Sequence, residues 1–257
     1  MKRLHLIEIE DQSWCPAVIR DGITDYLQFA LNAAKPYRAT APRLAALLRE
    51  SGTSEVVDLC SGAGGPWATL SRELLTAHDG VRVRLTDRFP NVDAMARTAA
   101  LTGGVVSYRT EPVDAANVPE TLTGVRTMFS AFHHFAPDAA RAVLADAARA
   151  RTTIAVFEAT HRSVTALLVT LFAPIAVLLL TPAIRPFKWS RLLFTYLIPV
   201  IPIATLFDGI VSCLRTYTPD ELRALTASIP GYRWEAGEIR DLGPIPATYL
   251  VGIPTRP

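Results

Sequence analysis

The segment Glu55–Trp67 reads EVVDLCSGAGGPW: an apolar run ending in Asp58, then small residues, then a proline able to open a helix. That order implies strand, tight turn, helix, a geometry in which backbone N–H groups and a helix N-terminus hold an anion. The turn fits no phosphate loop. A triphosphate loop needs a lysine directly after its last glycine, and none follows here. A dinucleotide turn needs a small third residue. Counted from Gly62 and Gly64 that residue is Trp67, and counted from Cys60 the first glycine is missing. What remains is a ligand without phosphate but with a carboxylate-like end, approached closely by the backbone at Gly62 and Gly64. Downstream, LTD puts Asp87 at the end of the next apolar run. A carboxylate there can accept both hydroxyls of a ribose, with a helix cap or a surface charge as the plainer alternative. EPVDAANVP places Asp114 in a following loop, suited to an exocyclic amine or to an ordinary Asx turn.

These residues need a sheet to bring them to one edge, and the pattern supplies it. EVVDL, VRVRL, VVSYR, VRTMFSAF and TTIAVFEA read as strands, separated by helical stretches at Pro66–Ala77, NVDAMARTAALTGG (capped by Asn91) and PDAARAVLADAARA. Strands alternating with helices imply parallel βαβ units covered on both faces. TPDELRALTASI carries a Thr-x-x-Glu capping box from Thr218 to Glu221. YRWEAGEIR and ATYLVGI then close the chain as an antiparallel hairpin joined by a short Pro/Gly segment at one sheet edge. Ahead of the first strand, TDYLQFALNAA and RLAALLRE have helical spacing, punctuated by Pro36 and Pro42.

Composition narrows the rest. A net charge of +2 with 19% charged residues offers no field for nucleic acid. The three cysteines, Cys15, Cys60 and Cys213, are scattered and lack CxxC spacing, so neither a disulfide framework nor a zinc site is expected, and a reducing cytoplasm is. Glu8, Glu10 and Asp11 interrupt the N-terminal apolar run, so it does not read as a signal peptide. The mean hydropathy of +0.24 is high for a soluble enzyme. Its source is residues 163–207. There, SVTALLVTLFAPIAVLLLTP and LLFTYLIPVIPIATLF are uncharged and flank AIRPFKWSR, with Arg185, Lys188 and Arg191 around Trp189. Three readings stand: a transmembrane hairpin, a monotopic insert with Trp189 and the cations at the headgroups, or a lid buried against the domain or a twin subunit. The monotopic insert is the leading expectation.

VVDLCSGAGG, the strand-end Asp87, the loop Asp114 and the strand-end FSAFHHF together resemble a class I S-adenosylmethionine-dependent methyltransferase. The likeness is good from Glu55 to Ala159 and rests on topology elsewhere. The resemblance implies a Rossmann-like, doubly wound, mostly parallel seven-stranded sheet with an antiparallel last strand, an N-terminal helical cap and the apolar helical insert. It implies S-adenosylmethionine as cofactor, with Asp58 and Gly62 by its methionine moiety, Asp87 on the ribose and Asp114 on the adenine. Cys60, Ser61, Gly64, Arg88, Ala115 and Ser130 complete the implied cofactor set. Cys60 departs from the family, which has a glycine there.

Within that resemblance, His133 and His134 fall near the transferred methyl, as candidates for orienting a nucleophile or taking its proton. The plainer alternative is that one caps the following helix and the other packs on the cofactor. Glu158 and His161, in VFEATHR, would face the substrate, or instead form an ion pair with Arg162. Trp14 and Tyr26 of the N-terminal segment, together with Gln12 and Arg20, would line the pocket unless they serve packing. Asp208, Arg215 and Tyr217 would close it. No metal is expected. Residues 1–52 would form the cap and 53–257 the methyltransferase domain. The expected activity is methylation of a hydrophobic or membrane-resident small molecule, lipids included, at the inner face of a membrane and with a homodimer open. The alternatives are a membrane-associated S-adenosylmethionine-binding protein without methyl transfer, or a non-methylating enzyme on this scaffold.

Overall fold

The computed structural model describes residues 1–240 and 245–255. Strands β1 (Glu55–Asp58), β2 (Arg82–Leu85), β3 (Val106–Tyr108), β4 (Val125–Phe129), β5 (Ile154–Glu158), β6 (Tyr232–Ile239) and β7 (Ala247–Pro254) form one sheet in the order β3-β2-β1-β4-β5-β7-β6. The first five are parallel, and β7 runs antiparallel to both β5 and β6. The reversal of strand order between β1 and β4 opens a crevice at their carboxyl ends, where open α/β sheets bind ligands. The hairpin sits with β7 inside the sheet and β6 at its edge. Most of the Pro/Gly segment that joins these strands lies outside the described residues.

Helices α1 (Ala17–Ala34) and α2 (Ala41–Ser51) precede β1, followed by α3 (Trp67–Ala77), α4 (Val92–Leu101) and α5 (Pro137–Arg149). Asn91 accepts a hydrogen bond from the Ala94 N–H and caps α4 as its sequence requires. β1, β4 and β5 are buried on both faces; β5 accordingly reads as an apolar run, whereas β4 carries Arg126 mid-strand, its charge met by the buried Asp146 at 2.6 Å. Leu44, Leu47 and Leu48 of α2 pack in the same core as Val56, Trp67, Phe129 and Phe157. The expected boundary between residues 52 and 53 therefore falls inside one packed core, and α2 belongs with the sheet.

The apolar insert is broken into short elements: α6 (Val164–Thr170), α7 (Ala173–Leu180), α8 (Trp189–Leu192), a π-helical turn at Leu193–Leu197, and α9 (Val200–Arg215). It packs on α1 through Val177, Ile184, Ile201 and Ala204 against Ile19, Ile23 and Tyr26. Its root is ionic. Asp25 of α1 is buried and accepts hydrogen bonds from Lys188 at 2.7 Å and Arg191 at 2.6 Å. After the insert, α10 (Pro219–Thr226) starts on the expected capping box, in which Thr218 and Glu221 exchange side-chain and backbone hydrogen bonds.

Candidate functional site

The small-residue turn is held from beneath. Asp58, only 1% exposed, accepts hydrogen bonds from Thr127 Oγ1 at 2.7 Å and Ser61 Oγ at 2.6 Å. Burial pushes its carboxyl up to about 6, although both hydroxyls favour the charged form. Asp58 and Ser61 thus shape the turn from inside the protein. Cys60 takes φ +56° and Gly62 φ +53°, both in the left-handed region. Cys60 pays the strain that a glycine would avoid, and burial pushes its thiol up.

The two glycines do different work. A Cβ on Gly62 would meet nothing within 4 Å, so its outer face is open. A Cβ on Gly64, where φ is +105°, would lie 2.9 Å from the Thr98 Cβ and closer still to its hydroxyl. Gly64 is therefore required by packing against α4, where Thr98 leaves no room for a side chain. The cap clamps the same turn from the other side. Gln28 of α1 donates to the Ala63 carbonyl and to Thr98 Oγ1, and Asn32 donates to the Gly65 carbonyl at 3.0 Å.

Beside the turn, Asp87 accepts from the Gly62 N–H and the Phe89 N–H, each at 2.8 Å. A carboxylate has about four acceptor positions, so two remain for hydroxyls of a ligand. Asp114 forms the Asx turn weighed for it, accepting from the Ala116 N–H at 2.9 Å, while its other oxygen faces Arg88 at 3.7 Å. Arg88 is largely exposed, and Ala115 is buried in the core beneath. Ser130, at φ +48°, follows β4 and bonds to the buried Tyr37 hydroxyl, which also accepts from the Ala159 N–H at 2.9 Å.

At the ends of β4 and β5 the histidines meet a carboxylate. His133 is 3% exposed and its Nδ1 lies 2.6 Å from Glu158 Oε2. The other oxygen of Glu158 accepts from the N–H groups of Phe132 at 2.7 Å and His133 at 3.2 Å. Burial pushes Glu158 up, but His133 and these amides outweigh it and hold the carboxyl below its ordinary range. This pairing turns His133 Nδ1 toward Glu158 and Nε2 toward the strap above it. Neither histidine caps α5, whose N-cap is Ala136 without a side-chain bond.

The N-terminal segment, residues 3–12, lies over this pair as a strap. Glu8 is fully buried and places Oε1 3.9 Å from His133 Nε2. His134 Nδ1 lies 3.0 Å from Glu8 and 3.1 Å from Asp11, and Arg215 Nη1 lies 3.1 Å from each of these acids. Burial alone would push His134 down, but the two acids hold it well above its ordinary value, and they in turn are lowered, Asp11 to about 2. Asp208 of α9 accepts from the N–H groups of Ile9 at 2.6 Å and Glu10 at 3.1 Å. Arg20 donates to the carbonyls of Glu10, Gln12 and Cys15. Ligand atoms of Glu8, His133 and His134 lie within 4.8 Å of one another, the spacing of a metal site. Arg215 already supplies the positive charge there, 3.4 Å from His134 Nδ1.

The remaining expected residues scatter. His161 pairs with Glu238 of β6 at 3.0 Å and Arg162 pairs with Glu221, so the plainer alternative weighed for Glu158 and His161, an ion pair with Arg162, is not formed. Trp14 is 64% exposed and Tyr26 is core beneath the insert, because α1 turns that face toward α9. Tyr217 donates to the Phe135 carbonyl at 2.8 Å under the Arg3 guanidinium. Sequence reasoning missed Glu8 and Asp11. Their signal was three acids interrupting an apolar run.

No family model and no curated protein matches this chain. Solved structures do. The pyocyanin biosynthetic protein PhzM is 18% identical with a TM-score of 0.52, covering 88% of this chain and 56% of its own. The O-methyltransferase NcsB1 of neocarzinostatin biosynthesis, solved with S-adenosylmethionine and 2-hydroxy-5-methyl naphthoic acid, is 17% identical with a TM-score of 0.52, covering 93% and 58%. A putative O-methyltransferase from Nostoc punctiforme is 14% identical with a TM-score of 0.51, covering 88% and 59%. The chain thus spans less than two thirds of the length of these structures. The sheet order, the switch-point crevice with its small-residue turn and these likenesses agree: the chain has the fold of the class I S-adenosylmethionine-dependent methyltransferases.

Proposed function

We propose that this protein transfers a methyl group from S-adenosylmethionine to a hydroxyl of an apolar small molecule. The observation that carries this reading is the His133–Glu158 pair at the carboxyl ends of β4 and β5, on the same edge of the sheet as the open face of Gly62 and the spare acceptor positions of Asp87. The residues fit the cofactor. Gly62 leaves space that a side chain would fill, and the start of α3 favours a carboxylate. Asp87 would take the ribose hydroxyls and the loop of Asp114 the adenine. Bound there, the cofactor supplies an electrophilic methyl. His133 Nε2 accepts the proton of the acceptor hydroxyl as oxygen attacks, and Glu158 stabilises the imidazolium through Nδ1–H. Such a base contributes about 10²- to 10⁴-fold, the remainder coming from holding oxygen and methyl in line. An acceptor drawn from a membrane is the finer form of this reading, supported by the apolar insert beside the site.

Titration with S-adenosylhomocysteine tests the cofactor half: binding is expected, weakened at least about tenfold by Asp87→Ala through loss of two charge-assisted hydrogen bonds. No binding, or unchanged binding in the variant, sinks the reading. A second reading, a binding protein without methyl transfer, is favoured by one observation: Glu8 seals the free nitrogen of His133. Tritiated-methyl transfer to apolar phenols and to lipid extracts separates the two, because a binder gives no labelled product.

A further inference from the structure

The outer face of the insert has no partner within the chain. Seventeen of the twenty-six exposed large apolar side chains among the described residues lie in residues 163–207. Val164–Ala183 has a mean hydropathy of 2.5, yet only 17% of its most apolar window is buried. Soluble monomers rarely leave a contiguous apolar patch of that kind in water.

We propose that this face docks on an anionic lipid bilayer surface, lying in the headgroup region without crossing it. The inference concerns the insert alone and stands without the methyl-transfer reading.

Charge selects the occupant. Residues 163–207 contain three cations and no acid. Lys188 and Arg191 are tied to Asp25, and Arg185 is exposed beside Phe187 and Trp189. A second copy would bring a second exposed Arg185 and, between residues 163 and 207, no acid to meet it. Anionic headgroups provide what is missing. The aromatic side chains agree. Phe187 and Trp189 pack edge to face at 5.0 Å on an exposed turn, and Trp189 is 78% exposed, the placement of an interfacial anchor.

Geometry excludes a span. The segment Trp189–Leu197 meets α9 at a 78° bend, and the C-terminal half of α9 carries Asp208 and Arg215, both buried against the strap. Only one apolar run is left, and both its ends return to the sheet domain: β5 leads into it, and Asp25 holds the segment after it. A single crossing would separate these two points by a bilayer.

The test uses the whole chain and vesicles of phosphatidylcholine with and without phosphatidylglycerol, no cofactor added. Co-sedimentation with the anionic vesicles is expected, with a blue shift of Trp189 emission and its quenching by brominated lipid, both lost in Trp189→Phe. Leu179→Glu combined with Leu197→Glu places charges on the two most exposed leucines of the insert and should weaken partitioning by about tenfold or more, while S-adenosylhomocysteine affinity stays as in wild type. Should that double variant fail to fold, Trp189→Ser alone should weaken binding severalfold. Wild-type protein that stays in the supernatant overturns the proposal. So does sedimentation velocity that finds a dimer dissolved by these substitutions with no vesicle binding.

Discussion

Gly62 and Gly64 are two residues apart in one turn, and the structure assigns them opposite duties, which paired substitutions can separate. Gly64→Ala forces an L residue to φ +105° and drives its Cβ to 2.9 Å from the Thr98 Cβ, nearer still to the hydroxyl. The strained backbone costs about 1–3 kcal/mol. Overpacking of a buried contact costs about 1–3 kcal/mol. Thr98 is fully buried and links Ala63 to Gln28, so moving it also loosens the cap. Together these reach about 2–6 kcal/mol, which at about 2–4 °C per kcal/mol lowers Tm by roughly 10 °C. Gly62→Ala adopts φ +53° with nothing within 4 Å and costs only about 1–2 kcal/mol, a few degrees. Its methyl, however, occupies the space assigned to the amino-acid end of the cofactor, so S-adenosylhomocysteine affinity should fall about tenfold or more. Differential scanning fluorimetry gives the Tm values and isothermal titration the affinities. Thr98→Ala in the Gly64→Ala background removes the worst clash and should recover part of the lost Tm. Equal Tm losses for the two variants, or a Gly62→Ala protein that binds as wild type, would refute the reasoning.

Glu158→Gln keeps the shape beside His133 but removes the charge that stabilises its imidazolium, so kcat should fall about 10²-fold or more, with cofactor affinity unchanged. A loss confined to KM would place Glu158 outside the chemistry. Asp11 has its pKa lowered to about 2 in the fold, so its contribution to stability is present above its unfolded value near 4 and is lost as pH falls through 2. With its side chain 39% exposed the full shift is discounted to about 1 kcal/mol; Asp11→Asn should lower Tm by about 2–4 °C at pH 6, and that difference should close between about pH 4 and pH 2.

The sheet was legible because its signals are local. Short apolar runs mark β1 and β5, and the N-cap at Asn91 and the capping box at Thr218–Glu221 mark helix starts within four residues of chain. The turn was legible by elimination, since a missing lysine and Trp67 exclude phosphate ligands. Its division of labour was not, because Gly64 is required by Thr98 on another helix. The strap was illegible for the same reason. Glu8 meets His133, His134 and Arg215 across more than a hundred residues, and alone it reads as a surface acid. His133 was found from its motif, while the buried network that covers it was not.

Helix α9 joins the two proposals. Ile203 and Phe207 lie four residues apart on its exposed side. Asp208, Ser212 and Arg215 follow on the buried side, about 100–180° around the helix from Ile203 at about 100° per residue. The outer side belongs to the surface assigned to lipid. The inner side holds the strap: Asp208 accepts from Ile9 and Glu10, Ser212 donates to Glu8, and Arg215 donates to the Leu6 carbonyl. Glu8, which lies 3.9 Å from His133 Nε2, is positioned by this helix through Ser212 and Arg215. Because the lipid-facing and strap-facing sides share one helix, vesicles are expected to lower KM for an apolar acceptor more than they raise kcat, which initial rates with and without vesicles check.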